Sequence, residues 1–533
     1  MKSFYSKVAG VLENVINDNY KLDIDYPLWE VPSKQSFGDL SSMVALKIAS
    51  KLKRDPLEIA NEIKRILEKK IEGDFDKIEI LRPGFINIFI AQKILVDSLN
   101  DIIRDKDKFF SGNIGQKILI EFLSANPTGP LSIAHGRQAV VGDVIANILE
   151  FCGSDVTREY YVNDAGRQLE LFGVSVEAAV ESLNNNTEFL PPEGGYKGGY
   201  IKDIAQEYID KKKNIDIKTF SVNKMLLSIK DDLALLDIKF DNWVSQEEII
   251  ARKEVEGAIK FLEDKKLIYK KEGALWFAAS NFGDDKDRVI KKVDGELTYF
   301  ASDIAYHQKK CKGEYDKLIN LWGPDHHGYI KRVESAIAAL GYNQTILKII
   351  IIQLVTLKTK ERMSKRAGNI FRLSDLVNDV GKDTARFYYL TRKNSSHLEF
   401  DIDLAKKASF DNPLYYIQYV CARIESIFKK TEITAFNQEY SKFLIEEEET
   451  DLLRIMLQFS HYIEKAYHSL EPVFIVEFLK SLAAGFHKFY EKKRVLVEED
   501  KNVTQARINL LAGVRIICHC ALRLLGITPV EKM

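Results

Sequence analysis

"KILIEFLSANPTGPLSIAHGRQAVVGDVIANILEFCGSDVTREYYVND", residues 117–164, decides how the central part of the chain folds. An apolar strand pattern passes through a Pro-Thr-Gly-Pro turn into a helical pattern at 134–152 and then into a second extended stretch, which is a βαβ unit. A second unit begins at "KLINLWGPDHHGYIKRVESAIAAL" (317–340), and the apolar run at 346–357 that follows it is interpreted as a buried strand. Two such halves predict a doubly wound, Rossmann-type parallel sheet.

The regions on either side of this sheet differ in pattern, so we expect a multidomain protein that combines α/β and all-α parts. Residues 1–105 predict an α+β domain, because helical patterns precede "IEILRPGFINIFI" (78–90), which alternates as a strand should around a Pro-Gly turn. The central domain is expected over 114–375, with an insertion at about 170–290. Residues 376–533 predict a helical bundle, because few prolines or glycines interrupt their apolar periodicity.

Composition excludes several classes of protein. The chain has 533 residues, of which 46% are hydrophobic and 29% charged, so it is folded rather than disordered. A net charge of −1 gives no overall signature of a polyanion-binding protein. The five cysteines lack paired spacing, which disfavours a disulfide scaffold or a zinc site and favours a cytoplasmic location. The longest apolar run is too short to span a membrane, so no membrane partner is expected.

Two segments have the residue types that bind phosphate. Ser132 and His135 lie where a strand passes into a helix, and the free N–H groups of a helix N-terminus favour an anion. The alternative for this segment is a capping turn with a hydrogen-bonded histidine. Farther along, "LKTKERMSKRAGN" (357–369) places five cations within nine positions. Cations on a mobile loop can close over a triphosphate, although runs of charge are usually solvated surface.

Longer motifs carry a resemblance to a known family. "SIAH" (132–135) and "RMSKR" (362–366) correspond to two short ATP signatures, which are individually weak. The specific matches are "SANPTGPLSIAHGR", "REYYVNDAGRQ", "GYKGGYI", "KFDNWVSQE", "YFASDIAY", "WGPDHHGY", "NPLYYIQYVCARI" and "ALRLLGITPVEKM". In these motifs, together with "FGDL" and "RPGFINI" near the N-terminus, the chain resembles the class I aminoacyl-tRNA synthetases over its whole length, and closely the arginyl-tRNA synthetases.

The chain departs from the family pattern inside both ATP signatures. Ser132 stands where the family has its first histidine, and Ala134 where it has glycine. Arg362 and Arg366 open and close the second signature, and arginine keeps the cation but changes its reach. A serine hydroxyl is shorter than an imidazole and uncharged, so weak ATP use or a local rearrangement is left open at Ser132.

The resemblance implies a set of site residues for an enzyme that activates arginine with ATP. His135 and Lys365 are the implied catalytic residues. The implied ATP contacts are Ser132, His135, Gly136, Gly323, Asp325, His326, Met363, Ser364 and Lys365. The implied arginine contacts are Ser124, Asn126, Asp155, Tyr160, Tyr299 and Asp303. A guanidinium is best held by a carboxylate and an aromatic face, and Tyr299 and Asp303 at i, i+4 share one face of a helix.

The resemblance also implies the partners. These are ATP with Mg²⁺, L-arginine and tRNA(Arg), with no tightly bound cofactor and no zinc, and we expect a monomer. The C-terminal bundle resembles the family's anticodon-binding domain, in which Tyr415, Gln418, Tyr419 and Arg423 are the expected RNA contacts. A metal site at His326-His327 is the competing interpretation of that pair, but no other ligands stand at suitable spacing.

Two other functions compete with this reading of the sequence. One is a non-catalytic paralogue that binds RNA and has lost its ATP signature, which the presence of His135, Lys365, Tyr299 and Asp303 opposes. The other is a synthetase for a different amino acid. An apolar or thiol substrate would not require an acidic pocket, so Asp303 and Tyr299 oppose that reading as well.

Overall fold

The computed structural model describes residues 4–22, 24, 28–32, 34–211, 215–358, 371–431 and 436–533. The chain forms two compact units. The first contains residues 1–113, 151–153 and 407–533, and the second contains 114–150 and 154–406.

The N-terminal part of the first unit is an α+β structure, as the sequence predicts. Its elements are α1 (Phe4–Tyr20), β1 (Leu40–Ser42), α2 (Val44–Leu52), α3 (Pro56–Lys70), β2 (Phe75–Leu81), β3 (Phe85–Ile90) and α4 (Gln92–Asp105). The strands form an antiparallel sheet in the order β1-β3-β2. The Asp55 side chain caps α3, and Pro56 occupies its first turn, where a missing N–H has no cost.

The second unit contains the predicted parallel sheet. The strands are β4 (Lys117–Glu121), β5 (Asp155–Val162), β6 (Asn242–Ser245), β7 (Ile268–Lys271), β8 (Ala274–Phe277), β9 (Arg288–Lys291), β10 (Lys317–Trp322), β11 (Leu347–Ile351), β12 (Val355–Lys358) and β13 (Leu398–Asp401). The main sheet has the order β11-β10-β4-β5-β6, and all its pairings are parallel. The strand order reverses between β4 and β10, and ligands of doubly wound proteins bind at the carboxyl ends of strands there.

Helices and smaller sheets surround this main sheet. The helices are α5 (Ile133–Phe151), α6 (Arg167–Asn185), α7 (Gly199–Asp210), α8 (Ile217–Leu235), α9 (Gln246–Ala251), α10 (Glu254–Asp264), α11 (Tyr299–Lys312), α12 (Ile330–Ala339), α13 (Leu373–Val380), α14 (Lys382–Tyr389) and α15 (Ile402–Ala405). Strands β7, β8 and β9 form an antiparallel sheet, and β12 pairs with β13. Gly142 of α5 packs on Phe122, where an added Cβ would lie 2.2 Å from the ring, so this glycine brings α5 close to the chain just after β4.

Two expectations about this unit need correction. The insertion expected at about 170–290 is not one block, because β6 within it is the edge strand of the main sheet. The apolar run at 346–357 is not one strand either. It forms β11 and β12 in different sheets, because the chain leaves the main sheet at Gln353, whose N–H bonds the Asn394 carbonyl.

The C-terminal part of the first unit is the predicted helical bundle. Its helices are α16 (Pro413–Phe428), α17 (Glu447–Leu457), α18 (Phe459–Ser469), α19 (Val473–Lys492) and α20 (Lys501–Leu524). The bundle starts later than residue 376, because α13, α14, β13 and α15 belong to the second unit. Gly513 of α20 allows close packing against Leu99 of α4 and Met456 of α17, since an added Cβ would approach each side chain to 2.5 Å. Among the described residues, no helix is both long enough and apolar enough to cross a membrane.

Candidate active site

A cleft of about 520 Å³ lies at the carboxyl end of the main sheet. It is bordered by the segments that follow β4, β5, β6 and β10, and by one face of α11. The lining residues are Glu121, Leu123, Ser124, Ala125, Asn126, His135, Gln138, Tyr161, Asn163, Ala165, Gln168, Leu169, Gln246, Tyr299, Asp303, Tyr306, His307, Leu321, Trp322, Gly323, Asp325, His326 and Tyr329. The cleft therefore contains candidate nucleotide contacts and candidate arginine contacts together.

The segment after β4 has a strained backbone at the edge of the cleft. Leu123 and Ser124 have φ values of 70° and 40°, which non-glycine residues rarely adopt. The Ser124 hydroxyl compensates by donating to Glu121 Oε1 at 3.0 Å and accepting the Tyr161 N–H at 3.1 Å. These hydrogen bonds therefore stabilise the strained conformation of the loop. In this conformation Ser124 and Asn126 line the cleft.

His135 enters the cleft from the first turn of α5, with its ring oriented by Ser132. The Ser132 N–H donates to Nδ1 of His135 at 3.1 Å, and the Ser132 hydroxyl lies 3.3 Å from the same atom. Burial lowers the pKa of His135, and the nearby charge of Asp325 partly offsets this decrease. A neutral ring whose Nδ1 accepts a hydrogen bond must carry its proton on Nε2, which can then donate to an anionic oxygen. Ser132 supports His135 and does not itself line the cleft.

The segment after β10 provides the opposite wall. Three of the implied ATP contacts, Gly323, Asp325 and His326, line the cleft. A Cβ on Gly323 would lie 2.6 Å from Asp325 Oδ1 and 3.2 Å from Gln138 Nε2, so glycine leaves space at this point. His326 Nε2 lies 3.4 Å from Asp325 Oδ2, and both side chains are exposed.

Helix α11 brings Tyr299 and Asp303 into the cleft on one face, which confirms that they share a helix. Tyr299 is 54% exposed, so its ring is open to a ligand. Asp303 is half-buried, and desolvation raises the pKa of this carboxyl to about 6, while the hydrogen bond from Tyr329 acts in the opposite direction. A carboxylate in such a position gains from a cationic ligand.

A buried polar network fixes α11 against the sheet below the cleft. Lys310 donates to Glu121 Oε2 at 2.5 Å and to Asn320 Oδ1 at 2.9 Å. Burial alone would raise the pKa of Glu121, but Lys310 holds it below its ordinary value. His307 lies between the Asp303 carbonyl at 2.8 Å and the Asn320 amide at 3.1 Å, and burial lowers its pKa to about 4.

Besides Ser132, three implied contacts among the described residues do not line the cleft. Asp155 begins β5 and is exposed at the amino end of the sheet, opposite the strand ends that form the site. Tyr160 points to the other face of β5, where its hydroxyl donates to the Ala125 carbonyl at 2.8 Å and its ring stacks on Trp243. Gly136 is buried on the far side of α5, where an added Cβ would lie 2.5 Å from Leu373 and 2.6 Å from Tyr389. Tyr160 and Gly136 are therefore packed inside the protein, and Asp155 lies on the surface away from the cleft.

Sequence reasoning missed several lining residues, notably Glu121, Tyr161 and Gln246. Side chains alternate along a strand, so Tyr161 faces the cleft where Tyr160 cannot, and this alternation was the available signal. The Tyr161 hydroxyl and Gln246 Oε1 are buried without a hydrogen-bond partner among the described residues. Unpaired buried polar atoms in a cleft are suited to a polar ligand.

The second ATP signature lies outside the described residues. Met363, Ser364 and Lys365, together with Arg362, fall within residues 359–370, which the structure does not describe. Their implied roles stay predictions.

The first unit has a cleft of about 510 Å³ on its C-terminal helices. Tyr419 and Arg423 of α16 line it together with Lys429 and Lys430. The Arg423 guanidinium lies 5.6 Å from the Tyr419 ring centre and 4.9 Å from that of Tyr490. An aromatic ring and several cations in one cleft are suited to an unstacked base and its phosphates.

The other two expected RNA contacts differ from this pair. Gln418 is buried and unavailable to RNA, because its amide donates to the Thr528 carbonyl at 2.8 Å and accepts the Val530 N–H at 3.0 Å. Through these two hydrogen bonds, Gln418 on the inner face of α16 binds residues 528–530 to the helix. Tyr415 is half-buried beside Phe410, outside the cleft.

Comparisons with known proteins agree with this arrangement. Three family models match: the N-terminal domain of arginyl-tRNA synthetases over residues 4–90, the catalytic domain of class I tRNA synthetases (R) over 98–399, and the DALR anticodon binding domain over 417–533.

Similar proteins match over nearly the whole chain. An arginine–tRNA ligase of Thermotoga petrophila is 38% identical over 98% of each sequence, and that of Aquifex aeolicus is 36% identical over 99% of each. The fold matches that of Thermus thermophilus arginyl-tRNA synthetase with a TM-score of 0.82, at 18% identity, over 99% of this chain and 100% of that one. The chain therefore belongs to the arginyl-tRNA synthetases of class I.

Proposed function

We propose that the cleft of the second unit activates L-arginine with ATP, and that the enzyme then transfers the arginyl group to the terminal ribose of tRNA(Arg). This is arginine–tRNA ligation, which the names of the curated relatives state. One observation carries the assignment of the substrates to this cleft. A half-buried carboxylate, Asp303, and an exposed aromatic ring, Tyr299, share a cavity with the His135 and Gly323 segments at the reversal point of the sheet.

The chemistry requires positioning and charge stabilisation rather than a protein nucleophile. The arginine carboxylate attacks the α-phosphate of ATP, which forms arginyl-adenylate and releases pyrophosphate. A ribose hydroxyl of the tRNA then attacks the activated carbonyl, which forms the ester and releases AMP. Holding both reactants in line and neutralising the developing charge on the phosphate supplies most of the acceleration.

The ATP side is formed by the segments after β4 and β10. The His135 Nε2–H donates to a phosphate oxygen, and the free N–H groups at the start of α5 face the same anion. Gly323 leaves space for the adenosine, while Asp325 and His326 lie where ribose hydroxyls would be bound. Mg²⁺ enters with ATP as part of the substrate, and Lys365 with Ser364 and Met363 contributes from the segment outside the described residues.

The arginine side is formed by α11 and the strained loop. Asp303 pairs with the guanidinium, and Tyr299 covers its planar face. Asn126 accepts a hydrogen bond from Asn163 at 2.9 Å and donates to Gln168 at 2.7 Å, so its amide is oriented before the substrate arrives. With Ser124 beside it, Asn126 is placed to hold the amino acid backbone.

Transfer RNA uses the first unit as well. Tyr419, Arg423, Lys429 and Lys430 line a cleft in the region that matches the DALR anticodon binding domain. We assign stacking on an anticodon base to Tyr419 and phosphate binding to the cations. The division into a domain at 1–105 that contacts tRNA, a catalytic domain and an anticodon-binding domain is part of this proposal.

The working state is proposed to be a cytoplasmic monomer. His135, Gly323, Tyr299 and Asp303 lie in one cleft of the second unit, so one chain supplies these groups for the proposed chemistry. Sedimentation of the purified enzyme with and without tRNA tests this state.

Exchange of labelled pyrophosphate into ATP tests the proposed reaction. We expect exchange that depends on arginine, with tRNA present, and that fails with the other amino acids. The Asp303→Asn variant should lose exchange at physiological arginine concentration. Absence of exchange with every amino acid would contradict the proposal and favour a paralogue that only binds RNA.

A further inference from the structure

The hydroxyl of Tyr329 forms a hydrogen bond with the carboxylate of Asp303, the residue that is proposed to bind the guanidinium of arginine. It donates to Asp303 Oδ2 at 2.5 Å. Tyr329 ends the short 3-10 helix Pro324–Tyr329, while Asp303 lies on α11, so the bond joins two walls of the cleft. Hydrogen bonds to a charged acceptor are the stronger kind and direct the acceptor's geometry.

Packing on three sides sets the position of this hydroxyl. The Tyr329 ring meets Phe300 edge-on at 6.0 Å and Trp322 at 6.2 Å between ring centres. The Arg332 guanidinium lies 5.1 Å from the centre of the ring. Because these contacts are made with the ring, removing the oxygen alone should leave the packing of this wall in place.

The hydroxyl also affects the charge of Asp303. Burial raises the pKa of the Asp303 carboxyl to about 6, and Glu121 acts in the same direction. The Tyr329 hydrogen bond and Lys310 lower it. The charged or titratable groups around Asp303 and Tyr329 include Glu121 on β4, Tyr161 on β5, Arg288 on β9, His307 and Lys310 on α11 and Arg332 on α12. Of these, His307 stays neutral at physiological pH because burial lowers its pKa to about 4.

We propose that Tyr329 is a positioning residue for arginine specificity: it orients the Asp303 carboxylate toward the guanidinium. This rests on the proposed role of Asp303 as the arginine contact. Tyr329 does not need to touch arginine, since one oxygen of Asp303 accepts the hydroxyl and the other is left for the substrate. The sequence carried no sign of it, because Tyr329 and Asp303 are 26 residues apart and meet only through the fold.

Steady-state pyrophosphate exchange with the full chain and tRNA tests this role. We compare Tyr329→Phe with Asp303→Asn and with a control, Tyr342→Phe. Tyr342 packs against the same hydrophobic cluster as Tyr329 but does not line the cleft. Tyr329→Phe should raise KM for arginine about tenfold, which corresponds to one hydrogen bond to a charged group. KM for ATP and the unfolding temperature should change little, because the ring remains.

The pH dependence of kcat/KM for arginine gives a second test. If Tyr329 had only a structural role, its substitution would not shift this dependence. The Tyr329 bond lowers the pKa of Asp303, so its loss raises that pKa. The pH at which kcat/KM for arginine falls by half on the acid side should therefore be higher in Tyr329→Phe than in the unaltered enzyme.

The outcomes separate this inference from the proposed function. If Tyr329→Phe behaves like Tyr342→Phe while Asp303→Asn raises KM for arginine strongly, the positioning role is wrong and the arginine site stands. If KM for ATP rises in parallel with KM for arginine and the protein unfolds earlier, Tyr329 is only structural and the inference is also wrong. If Asp303→Asn leaves KM for arginine unchanged, the proposed arginine site itself fails.

Discussion

At the scale of single residues, the cleft depends on groups whose protonation is set by their surroundings. Asp303 has a pKa raised by burial to about 6, while a guanidinium stays charged at every pH of interest. In the proposed arginine site the guanidinium pairs with the ionised carboxylate, so protonation of Asp303 would compete with binding. We expect the affinity for arginine to fall about tenfold for each pH unit below about 6. Calorimetric titration between pH 7.5 and 5 checks this, and an affinity that stays constant over that range would contradict it.

A second prediction at this scale concerns Ser132, which stands where the family has the first histidine of its ATP signature. The backbone N–H of Ser132 orients His135 and survives any side-chain substitution except proline. Ser132→Ala should therefore change KM for ATP less than about threefold, because only the 3.3 Å hydroxyl contact is lost. His135→Ala removes the donor itself and should lower kcat in pyrophosphate exchange about 100-fold. Equal losses in the two variants would show that the hydroxyl acts directly on ATP.

At the scale of elements, the ion pair between Lys310 of α11 and Glu121 of β4 fixes the helix that carries Asp303. Both side chains are almost fully buried, so removing one partner leaves an uncompensated charge. Lys310→Met should lower the free energy of unfolding by about 3–5 kcal/mol, measured by urea denaturation. Lys331→Met is the matched control, since Lys331 pairs with Glu334 on the exposed surface and its loss should leave the free energy of unfolding nearly unchanged. Similar losses in both variants would mean that the buried pair does not hold α11.

At the scale of the whole molecule, the two ends of the chain fold into one unit. Phe110, which precedes the sheet, is fully buried and packs edge-on against Phe459 of α18 at 5.0 Å between ring centres. Phe110→Ala should cost about 3–5 kcal/mol and should expose the C-terminal helices together with the N-terminal segment to proteolysis. Phe436→Ala, at a residue 37% exposed, serves as the control. Cleavage confined to the N-terminal segment would show that the two ends fold separately.

The sequence by itself determined the architecture and much of the cleft. Apolar periodicity predicted the two βαβ units and the doubly wound sheet, because such patterns reflect local burial, although the run at 346–357 forms two strands rather than one. The resemblance of longer motifs supplied His135, Gly323 and Asp303, and the structure brings these three residues to the cleft where the strand order reverses.

Only the tertiary structure decided which neighbouring side chain enters the cleft and which faces away. Tyr161 lines the cleft and Tyr160 packs behind it, although the two residues are adjacent and chemically identical. Tyr329 meets Asp303, Lys310 meets Glu121 and Gln418 meets Thr528 across long separations in sequence. Such contacts depend on how elements pack, since side-chain direction and long-range pairing are set by the register and rotation of whole strands and helices rather than by local pattern.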